Sequence, residues 1–146
     1  MVAVTKANIY SGIWQNIFSV IHSSVTDPRG RTKWIYSSFP EIKNESKEDY
    51  PILIIEKVST PGYTRLSDVV KESLHSITIG VYTTNSEQLD TLFDSVFSTM
   101  EGAQSTFDDC GLHDMNVTST SDDFFERSGF RVHYREITYR FAFGIS

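Results

Sequence analysis

The chain has 146 residues, and its 13 Lys and Arg against 19 Asp and Glu leave a formal net charge of −6. Apolar residues make up 39% and charged residues 22%, with ten Phe, seven Tyr and two Trp, which excludes a disordered chain and supplies the burial units of one domain. The acidic balance argues against a protein that grips nucleic acid, because that mode of binding needs a basic excess to displace counterions from phosphates.

Cys110 is the single cysteine, so an internal disulfide is impossible and packing must hold the fold. The first residues lack the basic segment and apolar run of a signal peptide. No stretch approaches the roughly eighteen apolar residues of a membrane span. The expectation is one domain made in a cytoplasm.

In chain order, Ile9, Ile13, Ile17, Val20 and Ile21 recur at helical spacing, widened by Trp14 and Phe18. This pattern predicts an amphipathic helix from about residue 5 to 23, capped by Thr5. A turn cluster, Thr26-Asp27-Pro28-Arg29-Gly30, should follow it. The aromatic and β-branched run Trp34–Phe39 predicts a strand, and Glu41 to Asp49 a polar loop. The near-continuous apolar run of residues 51–58 predicts a central strand covered on both faces, broken at Thr60-Pro61-Gly62.

Residues 73–84 alternate, with Ile77, Ile79 and Val81 on one side, and predict a strand with one buried face. Asn85-Ser86-Glu87-Gln88 is a capping signal before the stripe Leu89, Leu92, Phe93, Val96, Phe97 and Met100, with Gly102 as its stop. The tail predicts a weak polar strand around 114–120, a hairpin loop over 121–129 and a long strand over 131–143. The order α-β-β-β-α-β-β implies a single α+β domain, a mainly antiparallel sheet with two helices packed on it.

Chemistry-bearing patterns are sparse. Cys110 and His113 lie three apart, too few ligands for a metal, and lone cysteines are mostly small buried apolar groups. His22, His75, His113 and His133 never pair at i, i+4, and the Gly residues form no phosphate-cradling loop. The sequence therefore leads us to expect no catalytic residue, no metal and no cofactor. Arg29, Arg31 and Lys33 form a basic cluster that would touch a phosphate backbone or an acidic partner, or else sit in a solvated turn.

Across almost its whole length the chain resembles the tail terminator, or tail completion, proteins of long-tailed bacterial and archaeal viruses. The resemblance is one of order and texture. It runs through Asn8–Trp14, Trp34–Pro40, Tyr50–Ile55, Ser76–Tyr82 with the following helix, and Tyr134–Phe141. It implies a ring, commonly of six subunits, that ends tube polymerisation at the head-proximal end of the tail and presents a docking surface to the filled head. The implied partners are further copies of the chain, the tail tube protein and a neck or head-completion protein, with DNA passing through an acidic hole without adhering. Neck and head–tail connector proteins share the same general build. A small ligand-binding or enzymatic α+β domain, and a DNA-contacting module acting through Arg29, Arg31 and Lys33, are the alternatives of other classes.

Two surfaces are expected to meet partners. The loop bearing Glu41, Glu45, Glu48 and Asp49 has almost no apolar content, so it should add little to the core and be free to contact the tube or a neighbour. In the last strand, Arg131, His133 and Arg135 share a face with Ile137, Tyr139, Phe141 and Phe143. Burying cations beside such groups is expensive. The first half should therefore project as a positive ribbon toward Asp108, Asp109 or Asp114 of the next subunit.

Overall fold

The computed structural model describes residues 1–66 and 69–144, and side chains throughout these except at 61–72. Its elements in chain order are α1 (Ile9–Ser24), β1 (Ile35–Tyr36), β2 (Ile52–Ile55), β3 (Ser59–Leu66), β4 (Val69–Thr83), α2 (Ser86–Gly102), α3 (Gln104–Asp109), β5 (Leu112–Arg127) and β6 (Phe130–Gly144). The sheet runs β1-β2-β4-β6-β5, with β3 also paired to β4, and every pairing except parallel β1–β2 is antiparallel. This is the α+β class that the order of periodicities predicts.

The helices cover one sheet face. Ile13, Ile17 and Ile21 of α1 and Leu89, Leu92, Val96 and Met100 of α2 are buried against Leu53, Ile55, Ile77, Ile79, Val81, Ile137, Tyr139 and Phe141. The alternation predicted for residues 73–84 and 131–143 places these strand residues on that face. β2 lies between β1 and β4, and all four of its residues are buried, as a strand covered on both faces must be. Its second cover is a smaller cluster on the far face, where Tyr50, Ile52, Ile54, Tyr82 and Val132 pack with Phe39, Ile42, Phe125 and Tyr134. Tyr82 is thus buried too, so β4 carries a second packed patch opposite the helices where one buried face was expected.

Several boundaries differ from the sequence reading. α1 begins a turn late because the Asn8 side chain reaches back, accepting from the Thr5 amide at 2.6 Å and donating to the Ala3 carbonyl. That closes a turn ahead of the helix, and Asn8 instead of Thr5 is the N-cap residue. Asn16, on the polar side of the predicted stripe, is buried because its amide clamps the backbone N–H and C=O of Val2 at 2.9 and 2.7 Å. The strand predicted over 34–39 shortens to two residues.

Thr60-Pro61-Gly62 does not end the chain's extended run. It falls in a register shift of β3 between the pairs Ser59–Ser76 and Gly62–Leu74, where a residue without an N–H is tolerated. α3 and most of β5 were not foreseen. β5 extends to Arg127, and the predicted loop contracts to Ser128-Gly129, both at positive φ (50° and 83°) as a two-residue hairpin turn requires.

Candidate interaction surfaces

The basic cluster is built around a buried acid. The Asp27 carboxylate is held in the turn after α1 and accepts the backbone N–H groups of Arg29 (3.0 Å) and Arg31 (2.8 Å). The Arg31 guanidinium adds a two-pronged pair at 2.9 and 3.1 Å. Burial pushes the Asp27 carboxyl upward, but the Arg31 contact and the two amides outweigh it and hold the group below the usual carboxylate range.

The remaining Arg31 donors reach the carbonyls of Asp49 (2.7 Å) and Pro51, and Arg29 donates to the carbonyls of Tyr50 and Lys47. Both guanidiniums therefore fasten residues 47–51 to the turn. Lys33 stays exposed, its ammonium 5.0 Å from the centre of the Tyr36 ring.

The acidic loop is correspondingly anchored, contrary to the expectation that it adds little to the fold. Its end, Lys47–Asp49, is a 3₁₀ turn closed by a reciprocal Ser46–Asp49 capping box. The Glu45 side chain is 4% exposed, accepts from the Tyr50 hydroxyl and pairs with Arg127 at 2.9 Å. Burial first, and then the Glu45 carboxylate, push the Tyr50 phenol well above its ordinary value. Phe39 and Ile42 seat the loop on the far-face cluster. Of the four acids, Glu41 and Glu48 remain exposed, while Glu45 and Asp49 hold local structure.

The hairpin of β5 and β6 also differs from a bare positive ribbon. Arg131 pairs with Glu126 across the strands (3.3 Å) and lies over the Phe124 ring at 4.2 Å. Arg135 pairs with Asp122 and with Asp90 of α2 (3.0 Å), and lies over Phe93. His133 is half-buried, with its ring 6.3 Å from that of Phe124. The acids of β5 thus supply the counter-charges within one chain. The alternate residues Val132 and Tyr134 turn to the far-face cluster, where Tyr134 stacks on Tyr82 at 5.0 Å between ring centres. The hairpin's first half is thus packed on its far face, while on the other face Arg135 meets α2.

Among the remaining candidates, Cys110 is a buried free thiol and His113 faces Asp108 at 3.1 Å on the surface. A relay that spacing alone did not reveal joins α1, β3 and β4. The Tyr10 hydroxyl meets Thr60 Oγ1 (2.6 Å), Thr60 meets His75 Nδ1 (3.1 Å), and His75 Nε2 meets Ser73 Oγ (2.6 Å). His75 is 2% exposed, and burial lowers its pKa below the ordinary imidazole value. Its shared parity with Ile77 and Ile79 was the available signal. Ser73 is itself 1% exposed, so this Ser–His contact faces no solvent and joins elements together.

Among the described residues, no three His, Cys, Asp or Glu side chains converge on a metal position. No helix among them is long and apolar enough to cross a membrane.

No family model matches the chain, and no curated protein matches it. Among solved structures, a chain of "Virion of native gene transfer agent (GTA) particle" is similar, with a TM-score of 0.48 at 10% identity over 95% of this chain and 96% of that one.

Proposed function

We propose that the protein is a structural component of a viral tail, a ring-forming terminator at the head-proximal end of the tail tube. The observation that carries this reading is an open sheet with two unlike edges. One side ends in β1, two residues long, and β3, eight residues long, and the other in β5, sixteen residues long and exposed over most of its length. Unlike edges suit head-to-tail contacts between identical subunits, the kind that closes a ring when the rotation permits. The buried ionisable groups described above, Asp27, Glu45 and His75, all serve structural hydrogen bonds, which supports a mechanical role over a catalytic one.

In this reading the β5–β6 hairpin face with Arg131, His133 and Arg135 is a contact surface for the tail tube, and Glu41 and Glu48, on the loop seated against the opposite sheet face, meet the tube or a neighbouring subunit. The neck protein docks on the opposite side of the ring, and the acidic balance keeps DNA from adhering as it passes.

Electron microscopy of particles assembled without the protein tests the reading. Over-long tube structures, and rings of purified protein on tube ends, are the expected result. Tails of normal length beside unattached heads would make it a neck connector, and normal particles would reject both.

A further inference from the structure

From Ser73 to Glu126 the chain has ten carboxylates and no Lys or Arg. That segment contains α2, α3 and β5, and it places its charge on the β5 side of the sheet. Nine of the thirteen Lys and Arg precede it, while Arg127, Arg131, Arg135 and Arg140 stand on β5 and β6 beside these acids. Residues 86–144 still hold eleven carboxylates against those four cations, so the molecule is polar across its strands.

The opposite side carries an aromatic stripe. Tyr10, Trp14, Phe18 and His22 recur every four residues along α1. Trp14 stacks on Phe18 at 5.2 Å and Phe18 on His22 at 5.3 Å between ring centres. Depressions between this stripe and the β1 edge are lined in one place by Lys57 and in another by Lys33, both exposed. The β5 side offers its own apolar groups, Val117 at 42% and Phe124 at 49% exposure.

We infer that copies of this chain dock edge to edge, the acidic α3–β5 side of one against the aromatic, lysine-rimmed α1–β1 groove of the next. Each edge alone would repel or ignore its own twin, because like charges face like. The two together supply an apolar centre with a charged rim, the build of a specific interface, with the charges setting partner and register. This interface rests on the ring reading and specifies which surfaces close the ring.

The test is a charge swap in two chains. One carries Lys33→Glu with Lys57→Glu. The other carries Asp108→Lys with Asp109→Lys, in the last turn of α3, where the helix dipole accepts a cation at least as well as an acid. Circular dichroism checks that both fold. Native mass spectrometry over a concentration series, and negative-stain imaging on tail tubes, read assembly.

Each variant alone is expected to weaken self-association by about tenfold or more. An equimolar mixture is expected to restore it, in assemblies that alternate the two chains, because every contact then joins opposite charges. Variants that assemble like the wild type overturn this interface while the ring stands. Variants that are blocked singly and remain blocked when mixed also overturn it. A wild-type chain that forms no ring in solution or on tubes removes the ring reading, and the interface with it.

Discussion

Asp27 shows how a single side chain decides what its neighbours are for. With its carboxylate buried and ionised, Arg29 and Arg31 are drawn into the fold, and a cluster that reads as a phosphate contact becomes a clamp on residues 47–51. Asp27→Asn keeps the size but loses the charge and one acceptor, and should cost about 1–3 kcal/mol by chemical denaturation. Because the Asp27 pKa is lowered on folding, its contribution is present above the ordinary carboxylate value and fades as pH falls below about 4.

His75 has the same sign in another range. Its lowered pKa means that the unfolded chain binds the proton more readily, so stability should fall as pH drops below about 6.5, its ordinary value. Denaturation midpoints between pH 7.5 and 5 should show that slope, and His75→Gln should flatten it. Neither role was legible from composition. The carbonyls that Arg29 and Arg31 fasten lie 18 to 21 residues along the chain, and His75 meets Thr60 of another strand.

The elements that periodicity foretold are those that pack on one face with a regular spacing. α2 runs from Ser86 to Gly102 with Asn85 accepting the amides of Glu87 and Gln88, as its sequence signals indicate. Phe97 is the exception in its stripe, 40% exposed although Val96 and Met100 on either side are fully buried, which places it at the border of the buried face.

The elements missed have no such spacing to display. α3 has six residues, too few for a period, yet Phe107 is fully buried and meets Phe141 edge to face at 5.3 Å. Phe107→Ala should therefore cost about 3–5 kcal/mol in an unfolding titration, a core-sized loss. β5 was hidden because, past Leu112, most of this edge strand is exposed on both faces and shows no alternation of burial.

The loop from Glu41 to Asp49 reads as a free segment in the sequence because its apolar content sits at its borders, in Phe39, Ile42 and Tyr50, and because Glu45 works as a buried acceptor. Replacing residues 41–49 by a Gly/Ser segment of equal length should lower the melting temperature by several degrees, since about 1 kcal/mol shifts a domain of this size by roughly 2–8 °C. An unchanged melting temperature would restore the loop to the status of a free appendage.

At the scale of the whole molecule, the fold class followed from the order of periodicities, whereas the contact surfaces did not. A sequence shows which residues are charged, but counter-charges come from strands and helices that only the fold brings together. Arg135 meets Asp122 from the facing strand and Asp90 from α2. The charge asymmetry across the sheet likewise emerges only when the acids of α3 and β5 are seen to lie at one edge, across β4 and β6 from β1.

The second cluster, on the face away from the helices, has a consequence in time. It shares β2, β4 and β6 with the main core, but it is closed by one loop, two arginine clamps and the Glu45–Arg127 pair. Such a cover can detach while the strands remain paired and the helices stay docked, at a free energy below that of global unfolding. Amide protons of Ser46, Asp49 and Tyr50 should therefore exchange with solvent orders of magnitude sooner than those of Ile77–Val81 and Ile137–Phe141, and with little sensitivity to dilute denaturant. Hydrogen exchange read by mass spectrometry would resolve the two populations. Merged rates across both regions would mean that the molecule opens only as one piece.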